Sequence, residues 1–340
     1  MRTLGLRDPR WATAREAVGR LTAVQAQEHR MARWSVAQRV QGTARATDID
    51  TAFDRGDFLR THVLRPTWHY VTSDDLRWLM RFSGPRVHAR NSRRYEELGL
   101  DGRTLATATD VIAEAVAAAP RTRRELAATL QRRGVSTEGQ RLTYMVMHAE
   151  LHLAVSSGPM SGKQHTYAAF DDRASGDGPD GDEALAELAR RYFTTRGPAT
   201  IKDFAWWAGL PAADARRGLD LAAGYLEHRV VDGRTYAFVT AATPATARRV
   251  DLIQCYDEAI ISYSQTRDLL CSADVSFDTP RRIDGFTHVV LLDGQLLGHW
   301  RLPRAQRGSV LETRLATDVA PATAKALAAA AEGTHRFFSA

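Results

Sequence analysis

Gln25 and Gln27 are the residues whose type and spacing most suggest chemistry; they sit in the stretch Leu21–Arg39, LTAVQAQEHRMARWSVAQR. Two amides two residues apart share a face only on extended backbone, because on a helix they would diverge by roughly 200°. Trp34, Ala37 and Val40 then recur at helical spacing, so the pattern predicts an extended Gln25-Ala26-Gln27 that leads into a helix. Buried amides must be hydrogen-bonded or they destabilise the fold. The pair is therefore either two satisfied core glutamines or a polar clamp on a water or a ligand. A neutral amide is no useful general base, so any chemistry it offers is that of positioning.

Other candidates are weaker. His69, within Trp68-His69-Tyr70, reads either as a polar wall of a site or as a hydrogen-bonded structural histidine beside a core Trp68. Asp257 and Glu258 are adjacent, so on a strand they would point to opposite sides, and we read them as structural. His148 and His152 have helical ligand spacing, but no glutamate follows the first histidine as in zinc peptidases, and no metal site is expected there. Trp206-Trp207 reads as one core ring and one ring at a domain boundary.

The elements that must position these residues are legible in part. Asp8-Pro9 predicts a first helix through about Leu21, with Asp8 as cap. Thr47–Asp50 opens a short helix stopped by Gly56, and Phe58–Thr72 alternates as two strands around Pro66. Ser73-Asp74-Asp75 caps a helix through Phe82, followed by helical stretches over Arg86–Leu98 and Thr109–Ala119. A second round follows Pro120: helices over Thr122–Arg133 and Thr137–Leu151, then strands over His152–Ser157 and Gln164–Phe170. Asp171–Asp182 is a glycine- and aspartate-rich linker. A third round has helices over Leu185–Thr195, Ile201–Ala208 and Pro211–Ala223, then a hairpin about Asp232-Gly233. The remainder is mainly strand (Asp251–Tyr256, Thr287–Leu292, Gln295–Arg301, Val310–Leu315), with a helix over Ala320–Ala331 and a last strand over Thr334–Ser339.

Helices followed by a β-ribbon are the order of a winged helix. The reading is thus an α+β chain: a first unit at 1–85, a helical connector at 86–119, a second unit at 120–171, a linker at 172–182, a third unit at 183–245 and a β-rich region at 246–340.

Composition bounds the partners. The chain has 340 residues, 44% hydrophobic and 25% charged, with no apolar run that could span a bilayer and no secretory apolar core near Met1. Cys255 and Cys271 are too few for a disulfide framework, which suits a reducing cytoplasm. Residues 1–150 hold 25 Lys+Arg against 17 Asp+Glu, a net +8; the rest hold 21 against 23, a net −2. Every cation in the first half is arginine, whose fork matches phosphate. Arg30, Arg33, Arg65, Arg121, Arg123, Arg124 and Arg141 are the candidates for DNA contact, and solvated helix faces are the competing explanation.

Five segments carry a resemblance: AVQAQEHRMARWSVAQR, RPTWHYVTSDDLRWL, RGPATIKDFAWWAGL, YDEAIISYSQ and LLDGQLLGHWR. Together, in this order over nearly the whole chain, they resemble the AlkZ-like bacterial DNA glycosylases, also called winged-helix DNA-binding-domain-containing proteins. The resemblance implies three tandem winged helices and a C-terminal β-rich part around a cleft for duplex DNA. It also implies a catalytic glutamine–apolar–glutamine (or aspartate) signature, which Gln25-Ala26-Gln27 matches with a small apolar residue. The implied substrates are N-alkylated purines in duplex DNA, including interstrand crosslinks for some members, either in general repair or in self-resistance to an alkylating antibiotic. No cofactor and a monomer in the cytoplasm are the expectations. The competing reading is a winged-helix transcriptional regulator whose glutamines are only structural, though such regulators are usually shorter and dimeric.

Overall fold

The computed structural model describes residues 1–7, 11–240, 249–271, 275, 285–303 and 311–339. Helix α1 spans Ala14–Leu21 and is capped by the Thr13 hydroxyl, which accepts the Glu16 N–H at 3.1 Å. The Asp8-Pro9 start expected from sequence lies outside the described residues. Ala14, Ala17, Val18 and Leu21 bury one face. Strand β1 (Val24–Gln25), α2 (His29–Ala37), α3 (Ala46–Arg55), β2 (Phe58–His62) and β3 (Trp68–Thr72) follow. Gly56, at φ 87°, ends α3 in the left-handed conformation that a residue without Cβ tolerates. Strand β3 lies between β1 and β2 in a three-stranded antiparallel sheet.

Helix α4 runs unbroken over Ser73–Glu97 with Pro85 inside it, so the expected stop near Phe82 does not occur. An interior proline removes one backbone hydrogen bond. The helix continues because Val87, Asn91 and Tyr95 beyond the proline are buried, with Asn91 Nδ2 3.0 Å from Met147 Sδ. The next elements are α5 (Gly102–Val116), β4 (Arg121–Thr122), α6 (Arg123–Arg132), α7 (Arg141–Leu151), β5 (Val155–Ser157) and β6 (Thr166–Ala169). A short helix α8 (Phe170–Arg173) opens the stretch read as a linker, and this stretch packs along α4 through Arg77–Asp171 at 2.8 Å and Ser175 N to Ser73 O at 3.0 Å.

Then come α9 (Gly181–Arg196), α10 (Ile201–Ala208), α11 (Ala212–Leu221), β7 (Glu227–Val231) and β8 (Arg234–Phe238), with Asp232 and Gly233 both at positive φ in the tight turn. One element order thus recurs three times: α1-β1-α2-α3-β2-β3, α5-β4-α6-α7-β5-β6, and α9-α10-α11-β7-β8. In the third round a bridge from Ala199 to Ala237 stands where a short strand stands in the others.

The C-terminal part has β9 (Val250–Ile253), α12 (Glu258–Ile261), β10 (His288–Leu292), β11 (Gln295–Arg301), β12 (Glu312–Leu315) and α13 (Pro321–Ser339). Its described strands form one antiparallel sheet in the order β12-β11-β10-β9. The strand expected over Thr334–Ser339 is the end of α13 instead. Thr334 and Phe337 face inward three residues apart, and the Phe337 ring sits 5.1 Å from that of Trp34 on α2. The whole is a mixed α+β fold of helices and small antiparallel sheets. No helix among the described residues is long and apolar enough to cross a membrane.

Candidate active site

The glutamine pair stands where the first sheet ends and α2 begins. Gln25 pairs with His69 across β1–β3, and the Ala26 N–H donates to the Trp68 carbonyl at 2.7 Å, so the backbone is extended through this point. Gln27 starts the bend into α2 and is exposed, whereas Gln25 is only 6% exposed.

Gln25 is gripped through both its backbone N–H and its side-chain oxygen. Its N–H donates to Glu258 Oε1 at 2.8 Å. Its side-chain Oε1 accepts from Arg65 Nη2 at 3.0 Å. An arginine can only donate, so the Gln25 amide oxygen must face it, and the Nε2 group is left as the donor this side chain can present. Arg65 also lies 3.4 Å from His69 Nε2, while His69 Nδ1 donates to the Thr67 carbonyl at 2.9 Å. Full burial, followed by the Arg65 charge, pushes the His69 pKa well below its ordinary value, so the ring is neutral.

A second arginine holds the rest of the motif. Arg60 donates from Nε to the Ala26 carbonyl at 2.9 Å and from Nη2 to the Gln27 carbonyl at 3.3 Å. Its guanidinium lies 4.2 Å from the centre of the Trp68 ring, whose other neighbour is the His62 ring at 3.8 Å. Two more histidines stand near the bend: His29, with Nδ1 2.7 Å from the Tyr70 hydroxyl, and His165, edge-on to it at 4.6 Å. Burial lowers the pKa of His29 to about 2 and that of His165 to about 4. Both are therefore uncharged at neutral pH.

Behind β1 is a buried charged layer. Glu258 accepts from Arg196 Nη2 at 2.6 Å, the Ser262 hydroxyl at 2.6 Å and Trp207 Nε1 at 3.0 Å. Burial opposes its ionisation, but Arg196, Ser262 and the Gln25 N–H together hold its carboxyl below the usual carboxylate range. Asp257 takes both forks of Arg39 at 3.0 and 2.7 Å, and the two side chains are fully buried. These carboxylates do not alternate on a strand as the sequence suggested. Strand β9 ends at Ile253, and Asp257 is the N-cap of α12, accepting the Ala259 N–H at 2.9 Å. Both are satisfied ion-pair partners, as the structural reading held.

The structure gathers Gln25, Gln27, Trp68, His69 and Arg65 into one cluster. Arg65 is there as an interior support and not as a surface contact, being 9% exposed. His69 is fully enclosed and stands behind Arg65, so it is no open wall of the site, while Trp68 is half-buried beneath Arg60. On α2, Arg30 is exposed 4.9 Å from the Phe338 ring and Arg33 pairs with Asp50. On α6 Arg123 and Arg124 are exposed, with Arg123 Nη2 2.7 Å from Thr143 Oγ1. Arg121 and Arg141 are half-buried and bound to carbonyls, Arg121 Nε to Ala115 at 3.0 Å and Arg141 Nε to Ser136 at 3.0 Å. A recess lined by Glu28, His29, Arg30, Thr287, His288 and Arg301 adjoins the bend at Gln27.

With this geometry in place, comparison settles the lineage, since the model of the DNA glycosylase AlkZ-like family matches residues 18–337. The chain belongs to that family. The solved structure of Streptomyces sahachiroi DNA glycosylase AlkZ is similar to it with a TM-score of 0.75 at 22% identity, covering 98% of this chain and 94% of the other. That likeness is one of fold. Comparison with curated proteins gives no match. Sequence reading within the AlkZ-like family missed Arg60, Arg196, Gln254 and His29. Gln254 Nε2 reaches Ser35 Oγ at 3.1 Å and the Gln25 carbonyl at 3.5 Å. The one available signal was Arg60 itself, a charge inside the apolar alternation of Phe58–His62.

Proposed function

We propose that this chain is a monofunctional DNA glycosylase that hydrolyses the N-glycosidic bond of cationic N-alkylated purines, N7-alkylguanine foremost, in duplex DNA. The observation that carries the reading is the division between the two glutamines: Gln25 is locked by Arg65 and Glu258, while Gln27 is exposed beside it. Gln27 Oε1 accepts a hydrogen bond from water, and Gln25 Nε2 donates from the fixed side, so the water is oriented toward C1′. Its oxygen bonds to C1′ as the C1′–N bond breaks. The electron pair goes to the base, which leaves neutral because alkylation had made it cationic, and the water's proton is released to solvent.

Positioning is enough for such a leaving group, since neither a general acid nor an amine nucleophile is required. An unmodified purine would need protonation, which two amides and the neutral His29, His69 and His165 do not supply. The threefold helix–ribbon order supports reading 1–85, 120–171 and 183–245 as winged helices that clasp one duplex as a monomer, with the arginine excess of the first half meeting phosphate. Bulky adducts and interstrand crosslinks are reached by the same chemistry, in repair or in self-resistance.

The test is single-turnover release of 7-methylguanine, and of a bulkier N7 adduct, from a defined duplex. Release by the wild type and its loss in the Gln25→Ala, Gln27→Ala double variant are expected. Full activity in the double variant overturns the mechanism, and activity on neither adduct in the wild type overturns the substrate class.

A further inference from the structure

Away from the glutamines, three histidines from two helices converge. His88 lies on α4, His148 in the last turn of α7, and His152 at the C-cap of α7. One ring nitrogen of each lies within 4.8 Å of those of the other two. The ring centres are 3.9 Å apart for His148–His152, 4.7 Å for His88–His152 and 5.0 Å for His88–His148.

Each Nδ1 has an oxygen partner. Thr109 Oγ1 is 2.8 Å from that of His148, the His148 carbonyl 2.9 Å from that of His152, and the Tyr95 hydroxyl 3.2 Å from that of His88. An oxygen partner on one imidazole nitrogen is the usual support of a metal-binding histidine, because it fixes the ring and leaves the other nitrogen as ligand. His88 Nε2 is buried and has no hydrogen-bond partner, an unmet need that native structures seldom leave unexplained.

We propose that His88, His148 and His152 bind one divalent transition-metal cation of the zinc type through their free ring nitrogens. Imidazoles suit zinc, copper and nickel and not the oxygen-seeking calcium or magnesium. Tetrahedral zinc at about 2.0–2.1 Å from nitrogen sets its ligands about 3.4 Å apart, so nitrogens that already lie within 4.8 Å of one another close by at most about 1.4 Å on binding. His152 is exposed, so the fourth position faces solvent and takes water. The site fastens the part of α4 beyond Pro85 to α7, and a cation bound only by the folded chain stabilises it.

The test uses full-length chain without a histidine tag, freed of metal by chelation, titrated with zinc chloride by calorimetry and followed by thermal unfolding. One equivalent bound at micromolar or tighter affinity, with a raised Tm, is expected. His152→Ala and His88→Ala should each weaken binding by about tenfold or more and remove the rise in Tm. Because His152 is exposed, its variant should unfold without metal at the wild-type temperature, which separates lost ligation from lost folding. Absence of saturable one-to-one binding, or unchanged affinity in both variants, overturns the proposal.

Discussion

Replacing Arg65 with methionine isolates the grip on Gln25. Arg65 Nη2 is 3.0 Å from Gln25 Oε1, and the side chain is buried. Methionine keeps the unbranched apolar stem and removes every donor. A hydrogen bond involving a charged group contributes about 1.5–3 kcal/mol net. Without it the Gln25 amide is free to turn, and its Nε2 no longer has one direction. If that contribution falls wholly on the chemical step, the rate drops roughly 10- to 150-fold at about 1.4 kcal/mol per factor of ten. A phosphate contact by Arg65 predicts the opposite pattern: unchanged chemistry, weaker DNA binding, and a log–log salt slope reduced by about 0.9. The assay pairs single-turnover 7-methylguanine release at saturating enzyme with fluorescence anisotropy on undamaged duplex at several salt concentrations. Thermal unfolding of the variant checks that the fold is intact. An unchanged single-turnover rate with a shallower salt slope would refute the supporting role given to Arg65.

Gln27→Ala should slow single-turnover release by roughly 10²-fold while leaving duplex affinity unchanged, as for other positioned hydrogen-bond groups. Gln27→Asp should retain activity, and the Gln25→Ala, Gln27→Ala pair should be no slower than either single variant if the amides share one water. Binding to duplex should weaken steeply with salt, at a slope of about −0.9 per phosphate met; salt-independent binding contradicts the arginine reading. Borohydride should trap no enzyme–DNA adduct, since the only lysines are Lys163, Lys202 and Lys325 and none adjoins the glutamine stretch in sequence; a trapped species refutes monofunctional hydrolysis. Glu258→Gln leaves Arg196 buried without a counter-charge and should cost about 3–5 kcal/mol in urea unfolding at neutral pH. The Glu258 carboxyl is depressed in the folded chain, so its contribution is present above the unfolded value of about 4.3 and is lost as pH falls through the lower folded value. The gap between wild type and variant should therefore narrow only below about pH 4, and a gap that does not change with pH points away from the ion pair.

What the sequence disclosed was mostly local. Gly56 stops its helix where expected, at φ 87°, and the hairpin about Asp232-Gly233 forms as its turn residues require. The extended backbone at Gln25 was legible from the same kind of argument. What it concealed depends on distant partners. Pro85 punctuates α4 on paper, but the burial of Val87, Asn91 and Tyr95 outweighs one missing hydrogen bond. Thr334–Ser339 looked like a strand because its length and aromatics fit one, yet the inward spacing of Thr334 and Phe337 is that of a helix. Arg65 counted as one more surface cation because arginine is mostly exposed; nothing near it in sequence announces that Gln25 waits 40 positions away. His88 could not be joined to His148 and His152 without knowing that α4 passes α7.

The same distances argue that the glutamine stretch is not held by its neighbours in sequence alone. The Gln25 N–H is satisfied by a carboxylate 233 residues on, and that carboxylate is itself held by Arg196 and Trp207 of the third round. Asp257 meanwhile fastens Arg39, whose Nε also holds the Leu4 carbonyl at 2.8 Å. Two adjacent acids at the start of α12 thus tie the end of α2 to α9 and α10 behind the glutamines. A buried ion pair adds little net stability over an apolar contact of the same shape, because both charges must be desolvated. Its gain is in geometry: an arginine fork on a carboxylate fixes direction as well as distance. A reaction that relies on positioning a water, and not on a strong acid or base, needs that kind of support, since a misplacement of about 1 Å costs on the order of 10² in rate. The expense of burying Arg39, Arg196, Asp257 and Glu258 is accordingly best understood as the means by which separate parts of the chain agree on where Gln25 points.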